Sequence, residues 1–249
     1  MPRLWTLSDL HFENYPDDHP GIVPPDDFDV LVVAGDIYEG NPAECVRRVA
    51  RMADGRPSVM VLGNHDVYFL PLQRAVDLAV RVGEKLGVTV LERSVATVEG
   101  LRFAGGTLWP DHFADAPARP DLTEIMAGRA PARFARSRAE PFDEPVSFDT
   151  ADGAVVPLTY GEIEKAHRAT LEVVAGAEPD VVVTHYPPPP GALARVPGAS
   201  LWLYGHVHAF ERRMEGGTEV VLNPRQSRVF ADRMVIDVPV RAPAAVPAR

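Results

Sequence analysis

The sequence predicts an α/β fold in which two β-sheets pack together, and three features carry that expectation. Short β-branched, apolar runs at residues 4–7, 30–34, 59–62, 181–183 and 201–204 each end in a polar cluster. Between some of them lie helical stripes at i, i+3, i+4 spacing. Further strand-like runs at 88–91, 95–98, 101–104, 219–222 and 234–238 crowd the later part of the chain. Strands alternating with helices imply buried, partly parallel strands. The surplus of strands fits two sheets better than one doubly wound sheet.

Taken in order, the run at 4–7 stops at Ser8-Asp9, the run at 30–34 at Gly35-Asp36, and the run at 59–62 at Gly63-Asn64. A first helix follows the second run, with Val46, Val49, Ala50 and Ala53 on one face. A second places Leu72, Ala75, Val76, Ala79 and Leu86 together. A third carries Ile163, Ala166, His167, Thr170 and Val173, which makes His167 a hydrogen-bonded core residue rather than a ligand. The last two apolar runs stop at Thr184-His185 and Gly205-His206. Residues 110–160 are rich in arginine and proline with weak periodicity, and read as an insertion or lid. The Ala/Pro-rich tail at 241–249 is expected to be disordered.

A length of 249 residues favours one large domain, here 1–240, with an inserted region. A hydrophobic share of 46% against 24% charged residues supplies a core and excludes a wholly disordered chain. The formal charge of -10 disfavours nucleic-acid polymers and anionic membranes as partners. Cys45 is the only cysteine, so an internal disulfide is excluded and a thiolate-built metal site is not expected. It reads as a small buried hydrophobe. No apolar signal core follows Met1, and no apolar run approaches ~18 residues. A cytoplasmic protein without a membrane partner is expected; the oligomeric state is left open.

Carboxyl ends of strands are where open α/β sheets build ligand sites. Here those ends offer Asp9 and His11, Asp36, then Asn64, His65 and Asp66, then His185, His206 and His208. Carboxylate, imidazole and amide oxygen without thiolate suit divalent Mn, Fe, Zn or Co. A bridging Asp with ligands on either side is what a two-metal centre needs. Each piece has a plainer reading: Asp9 or Asp36 as a turn or cap residue, Gly63-Asn64 as a turn dipeptide, His206 and His208 as surface polarity. All of these would have to hold together.

The ordered series Asp9-Leu10-His11, Gly35-Asp36, Gly63-Asn64-His65-Asp66, Thr184-His185 and Gly205-His206-Val207-His208 resembles the calcineurin-like metallophosphoesterase superfamily. The resemblance implies a four-layer α/β/β/α sandwich of two mixed β-sheets flanked by helices. It implies two divalent metal ions (Mn, Fe, Zn, Co or Ni), one on Asp9, His11 and His208, the other on Asn64, His185 and His206, with Asp36 bridging. It makes His65 a general acid or charge stabiliser oriented by Asp66, facing in-line attack on phosphorus by a hydroxide held between the metals. A small phosphodiester or phosphomonoester is the favoured substrate.

Two residues are weaker candidates for the substrate pocket. His112 follows Trp109-Pro110-Asp111 at the entry to the inserted region and is as well explained structurally. Arg225 follows a strand at Asn223-Pro224 and could reach the mouth of the site. Arg129, Arg133, Arg136 and Arg138 could clamp a phosphate or line a solvated helical face. Other readings of the whole are a non-catalytic metal-binding scaffold, a nuclease of the same superfamily, and a metal store or sensor. No ligand-type residue nor His65 is missing, as it would be in a scaffold, and the acidic balance opposes a long polyanion. His65 has no use in a metal store.

Overall fold

Along the strand Val30–Ala34, Val30, Val32 and Ala34 face one way and Leu31 and Val33 the other, yet all five are buried. A strand apolar on both faces must be covered on both. In this computed structural model, which describes residues 1–15, 22–111, 138–139, 141–142 and 144–240, the cover is a second sheet on one side and helices on the other. His112, Arg129, Arg133, Arg136 and the tail 241–249 lie outside the described residues.

The first sheet contains β1 (Arg3–Leu7), β2 (Val30–Ala34), β3 (Ser58–Val61), β4 (Val88–Leu91) and, from the far end of the chain, β13 (Val235–Asp237). Its order is β13-β1-β2-β3-β4, parallel except for the antiparallel β13. The second contains β5 (Ser94–Val98), β6 (Leu101–Gly106), β9 (Val181–Thr184), β10 (Leu201–Tyr204), β11 (Glu211–Glu215) and β12 (Thr218–Leu222). Its order is β11-β12-β10-β9-β6-β5, with three parallel pairings inside and antiparallel strands at both edges. A separate hairpin joins β7 (Ser147–Asp149) to β8 (Val155–Pro157).

The inter-sheet core holds Leu4, Val32, Val59, Val61, Phe103, Val181, Leu201 and Val221. The outer face of the first sheet takes α1 (Pro42–Ala53) and α2 (Leu72–Leu86) through Cys45, Val46, Val49, Ala75 and Ala79. The outer face of the second takes α3 (Tyr160–Gly176), whose Val174 packs among Ala104, Val182 and Trp202. The result is helix, sheet, sheet, helix, the α/β/β/α sandwich of two mixed sheets.

Local signals set the helix starts. Asn41 caps α1, its side-chain oxygen accepting the Glu44 N–H at 3.1 Å, with Pro42 in the first turn. Thr159 and Glu162 form a reciprocal capping box on α3. His167 is buried on that helix with Nδ1 2.6 Å from the Trp109 carbonyl oxygen. Within the described residues no helix is long and apolar enough to cross a membrane.

Candidate metal centre

The parallel strands β1, β2, β3, β9 and β10 end along one edge of the sandwich, where their loops deliver the polar residues. These loops turn sharply. Asp9, His11, Asp36, His206 and His208 all adopt left-handed backbone, with φ of 50°, 41°, 54°, 73° and 53°. Non-glycine residues rarely do so, Asp and His more readily than most. Such strain persists only where surrounding structure holds it, and it gathers at functional sites. Glycines remove what would otherwise block the approach. A Cβ on Gly63 would sit 2.1 Å from Asp36 Oδ1, and one on Gly35 (φ 81°) 2.6 Å from His185 Nδ1.

Asp36 lies at the middle. It is 1% exposed, and its Oδ2 is 3.5 Å from His11 Nε2 and 3.3 Å from His185 Nε2. Its Oδ1 accepts the backbone N–H of His65 at 3.0 Å. On one side stand Asp9, His11 and His208; with Asp36 they offer four donor atoms within 4.8 Å of one another. On the other side Asn64 Oδ1 is 2.8 Å from His185 Nε2 and 3.3 Å from His206 Nδ1. His185 is fixed by its Nδ1, 2.9 Å from the Ala34 carbonyl oxygen.

These residues fit a divalent cation. Among the described residues, Asp9 Oδ2 and His11 Nε2 are buried with no hydrogen-bond partner. Leaving such atoms unmatched is unfavourable, whereas a cation satisfies them together. The donors are oxygen and imidazole, and the outer ring nitrogen of His11 meets the Glu13 carboxylate at 2.7 Å, the usual support for a metal-binding imidazole.

Electrostatics follow from the same packing. Burial alone would discharge His11, but the facing carboxylates of Asp36 and Glu13 outweigh it and raise its pKa to about 10. His185, buried and then overruled by the Asp36 charge, is raised to about 9. The His185 charge and the facing His11 ring in turn hold Asp36 well below the usual carboxylate range, against its own burial. Burial, then the His185 charge, lower His206 to about 4. In the metal-free protein His11 and His185 therefore stabilise the fold fully below about pH 6.5, and that contribution fades as pH rises through about 9 and 10. Cation binding needs the neutral rings. Loading the metal-stripped protein at pH 7.5 should release about two protons, read by calorimetry in buffers of differing ionisation enthalpy. Binding without proton release would contradict protonated His11 and His185.

His65 stands beside the donors rather than among them. Its ring lies edge-on to His11 at 4.8 Å between centroids and 4.6 Å from the Tyr68 ring. Its Nδ1 is 3.0 Å from Glu39 Oε2, and the Glu39 N–H donates to Glu13 Oε2 at 3.1 Å. The expectation that Asp66 orients His65 is corrected here. The Asp66 carboxylate turns into the core, accepting the N–H groups of Ile37, Tyr38 and Gly63 at 2.6, 2.9 and 2.8 Å. Burial and the Asp36 charge raise its pKa to about 6. Adjacent residues on a tight turn point apart, so Asp66 ties the Asp36 loop to the Asn64 loop while Glu39 holds the histidine. Cys45 Sγ lies 3.2 Å from Asp66 Oδ1, beneath the site.

Arg225 is attached next to the first ligands: its N–H donates to the Ser8 carbonyl oxygen at 3.0 Å, and its guanidinium lies 3.6 Å from the Tyr15 ring centroid. Arg138 pairs with Glu164 on α3 instead of pointing at the donors. Glu13, Glu39, Glu144, Tyr68 and Tyr186 were not anticipated. The first two lie two and three residues beyond His11 and Asp36, a spacing that could have flagged them.

Residues 2–210 match the sequence pattern of calcineurin-like phosphoesterases. The chain belongs to the calcineurin-like phosphoesterase family. Among solved structures, this calcineurin-like chain is similar to phosphopantetheinyl hydrolase (PptH) from Mycobacterium tuberculosis. Identity is 21%, covering 97% of this chain and 98% of that one, with a TM-score of 0.57. It is also similar to TT1561 of Thermus thermophilus, at 12% identity over 91% and 90% of the two chains and a TM-score of 0.51. At these identities the likeness speaks for the calcineurin-like fold alone. No curated protein matches the sequence.

Proposed function

We propose that this chain is a hydrolase of phosphoesters dependent on two divalent cations, acting on a small phosphodiester or phosphomonoester. The observation that carries the proposal is the gathering of six donor residues around Asp36, with His65 beside them and outside the donor set. Asp9, His11 and His208 would hold one cation, Asn64, His185 and His206 the other, and Asp36 would serve both. When bound, such a pair acidifies water enough to supply a nucleophile near neutral pH and offsets charge on phosphoryl oxygens.

The chain's own residues do the rest. His206, kept neutral by burial, presents a lone pair without first losing a proton. His65 donates from Nδ1 to Glu39, which leaves Nε2 to hold the proton for a departing oxygen or to face phosphoryl charge. Attack by water needs no covalent phosphoenzyme, so Cys45 beneath the loops has no step to perform. A nuclease acting on a long polyanion fits poorly with a net charge of -10.

The test is turnover of bis(p-nitrophenyl) phosphate against p-nitrophenyl phosphate by metal-stripped protein reloaded with Mn, Co, Ni or Zn. The Mycobacterium tuberculosis neighbour is named a phosphopantetheinyl hydrolase, which adds phosphopantetheinyl compounds to the assay. Cation-dependent hydrolysis that a chelator abolishes is expected, and the ratio of the two nitrophenyl rates separates diesterase from monoesterase. Protein loaded with both cations and inert toward all three substrate types would favour the scaffold reading instead.

A further inference from the structure

An asparagine amide has nearly the same shape at its two ends and opposite chemistry: Oδ1 can bind a cation, whereas the NH2 group repels one. Asn64 is 2% exposed, so whatever sets its orientation is protein. Its Nδ2 donates to the Tyr68 hydroxyl at 2.7 Å, while Oδ1 faces His185 and His206. The Tyr68 hydroxyl owns one hydrogen and donates it to Glu144 Oε2 at 3.2 Å. The phenol oxygen is thereby left an acceptor, which matches the NH2 end of Asn64 and not its carbonyl end. Glu144 Oε1 takes the Tyr186 hydroxyl at 3.0 Å, so the carboxylate is held between two phenols. The Tyr186 ring in turn lies 4.2 Å from that of His206.

We propose that Glu144, acting through the Tyr68 hydroxyl, is a positioning residue that keeps Asn64 Oδ1 toward His185 and His206 and so sets cation affinity there. The inference rests on the reading of those three residues as cation holders. Glu144 belongs to none of the five motif blocks; it comes from the segment between β6 and α3. Residues 145–147, just after Glu144, dock on the loop after Asn64. The Phe69 N–H donates to the Pro145 carbonyl oxygen at 3.2 Å, Pro71 bridges to Ser147, and Val146 is 1% exposed. With the hydrogen bonds reversed, the Asn64 carbonyl would meet a phenol oxygen whose hydrogen is already committed to Glu144.

A purely structural tie between segment and loop would leave cation affinity independent of which end of residue 64 faces the site. The experiment separates the two. Metal-stripped protein is titrated with Mn2+ by calorimetry, Asn64→Ala identifying the binding event that belongs to the Asn64 set, and thermal unfolding confirms that each variant is folded. Tyr68→Phe, which removes one oxygen and keeps the ring, and Glu144→Ala should each weaken that event about 10–100-fold and leave the other within about twofold. In the N64D background the side chain has two like oxygens and no orientation to set, so the same substitutions should change affinity by less than about threefold. Unchanged affinity in Tyr68→Phe, or an equal loss in both backgrounds, would overturn the proposal. Wild-type protein that takes up no Mn2+ removes the proposed function and this inference together. Two binding events untouched by the variants remove this inference alone.

Discussion

His65→Ala should keep both cations and lose about 10²–10⁴-fold in turnover, the usual contribution of a positioned acid or base. The separation of the two effects follows from where the residue sits. Its backbone N–H, which an alanine retains, is the part that supports Asp36 Oδ1 at 3.0 Å. Its imidazole touches the edge of His11 and the Glu39 carboxylate but is not one of the clustered donors. Removing the ring therefore leaves every clustered donor atom in place and subtracts the group proposed to serve a leaving oxygen. Elemental analysis should find unchanged metal content while the rate on the better nitrophenyl substrate collapses. A His65→Ala protein with full turnover would assign the ring no part in the reaction. Loss of metal in parallel would make it a ligand.

Much of this site was legible because the chemistry sits at the ends of apolar strands. Gly63-Asn64-His65-Asp66 follows a buried strand, and Gly63 allows Asp36 Oδ1 to lie where a Cβ would be. The strands 30–34 and 201–204 were readable to the residue, since a run covered on both faces stays apolar throughout. Two sheets, rather than one, were suggested by the surplus of late strands.

What escaped the sequence did so for physical reasons. β11 reads Glu-Arg-Arg-Met-Glu, with no apolar alternation, because it is an edge strand and charges on an edge discourage further pairing. Asp66 was expected to hold its neighbour in sequence. A carboxylate that can take three backbone N–H groups in the core is better placed there than on a half-exposed ring. Glu144 lies 76 residues from Tyr68, and the docking of Pro145 and Ser147 on the 69–71 backbone brings them together. Periodicity carries no record of such a contact. Motif residues announce the donors, whereas the groups that aim those donors are set by tertiary packing.

Asp36→Asn should weaken both cations together, each by more than about 100-fold, beyond the range typical of groups that merely support a ligand. The substitution barely changes shape, so the effect is electrostatic and directional. In the native protein Oδ1 accepts the His65 N–H while Oδ2 faces His11 and His185 at 3.5 and 3.3 Å. An asparagine has one oxygen to offer. If that oxygen keeps the His65 N–H, the NH2 group is turned toward both donor sets, repelling a cation on either side. If the side chain turns over instead, it sets NH2 against the His65 N–H and leaves a buried donor unmatched, a loss of about 1–3 kcal/mol. Neither orientation restores the negative charge that the two sets share. The charge also holds His11 and His185 protonated in the metal-free protein, so without it burial should drive both pKa values down. Mn2+ titration of Asp36→Asn should therefore show both binding events weakened and fewer protons released with whatever binding persists. His208→Ala, by contrast, should weaken only the event shared with Asp9 and His11. An Asp36→Asn protein that holds one cation with unchanged affinity would confine Asp36 to a single cation and dissolve the bridge.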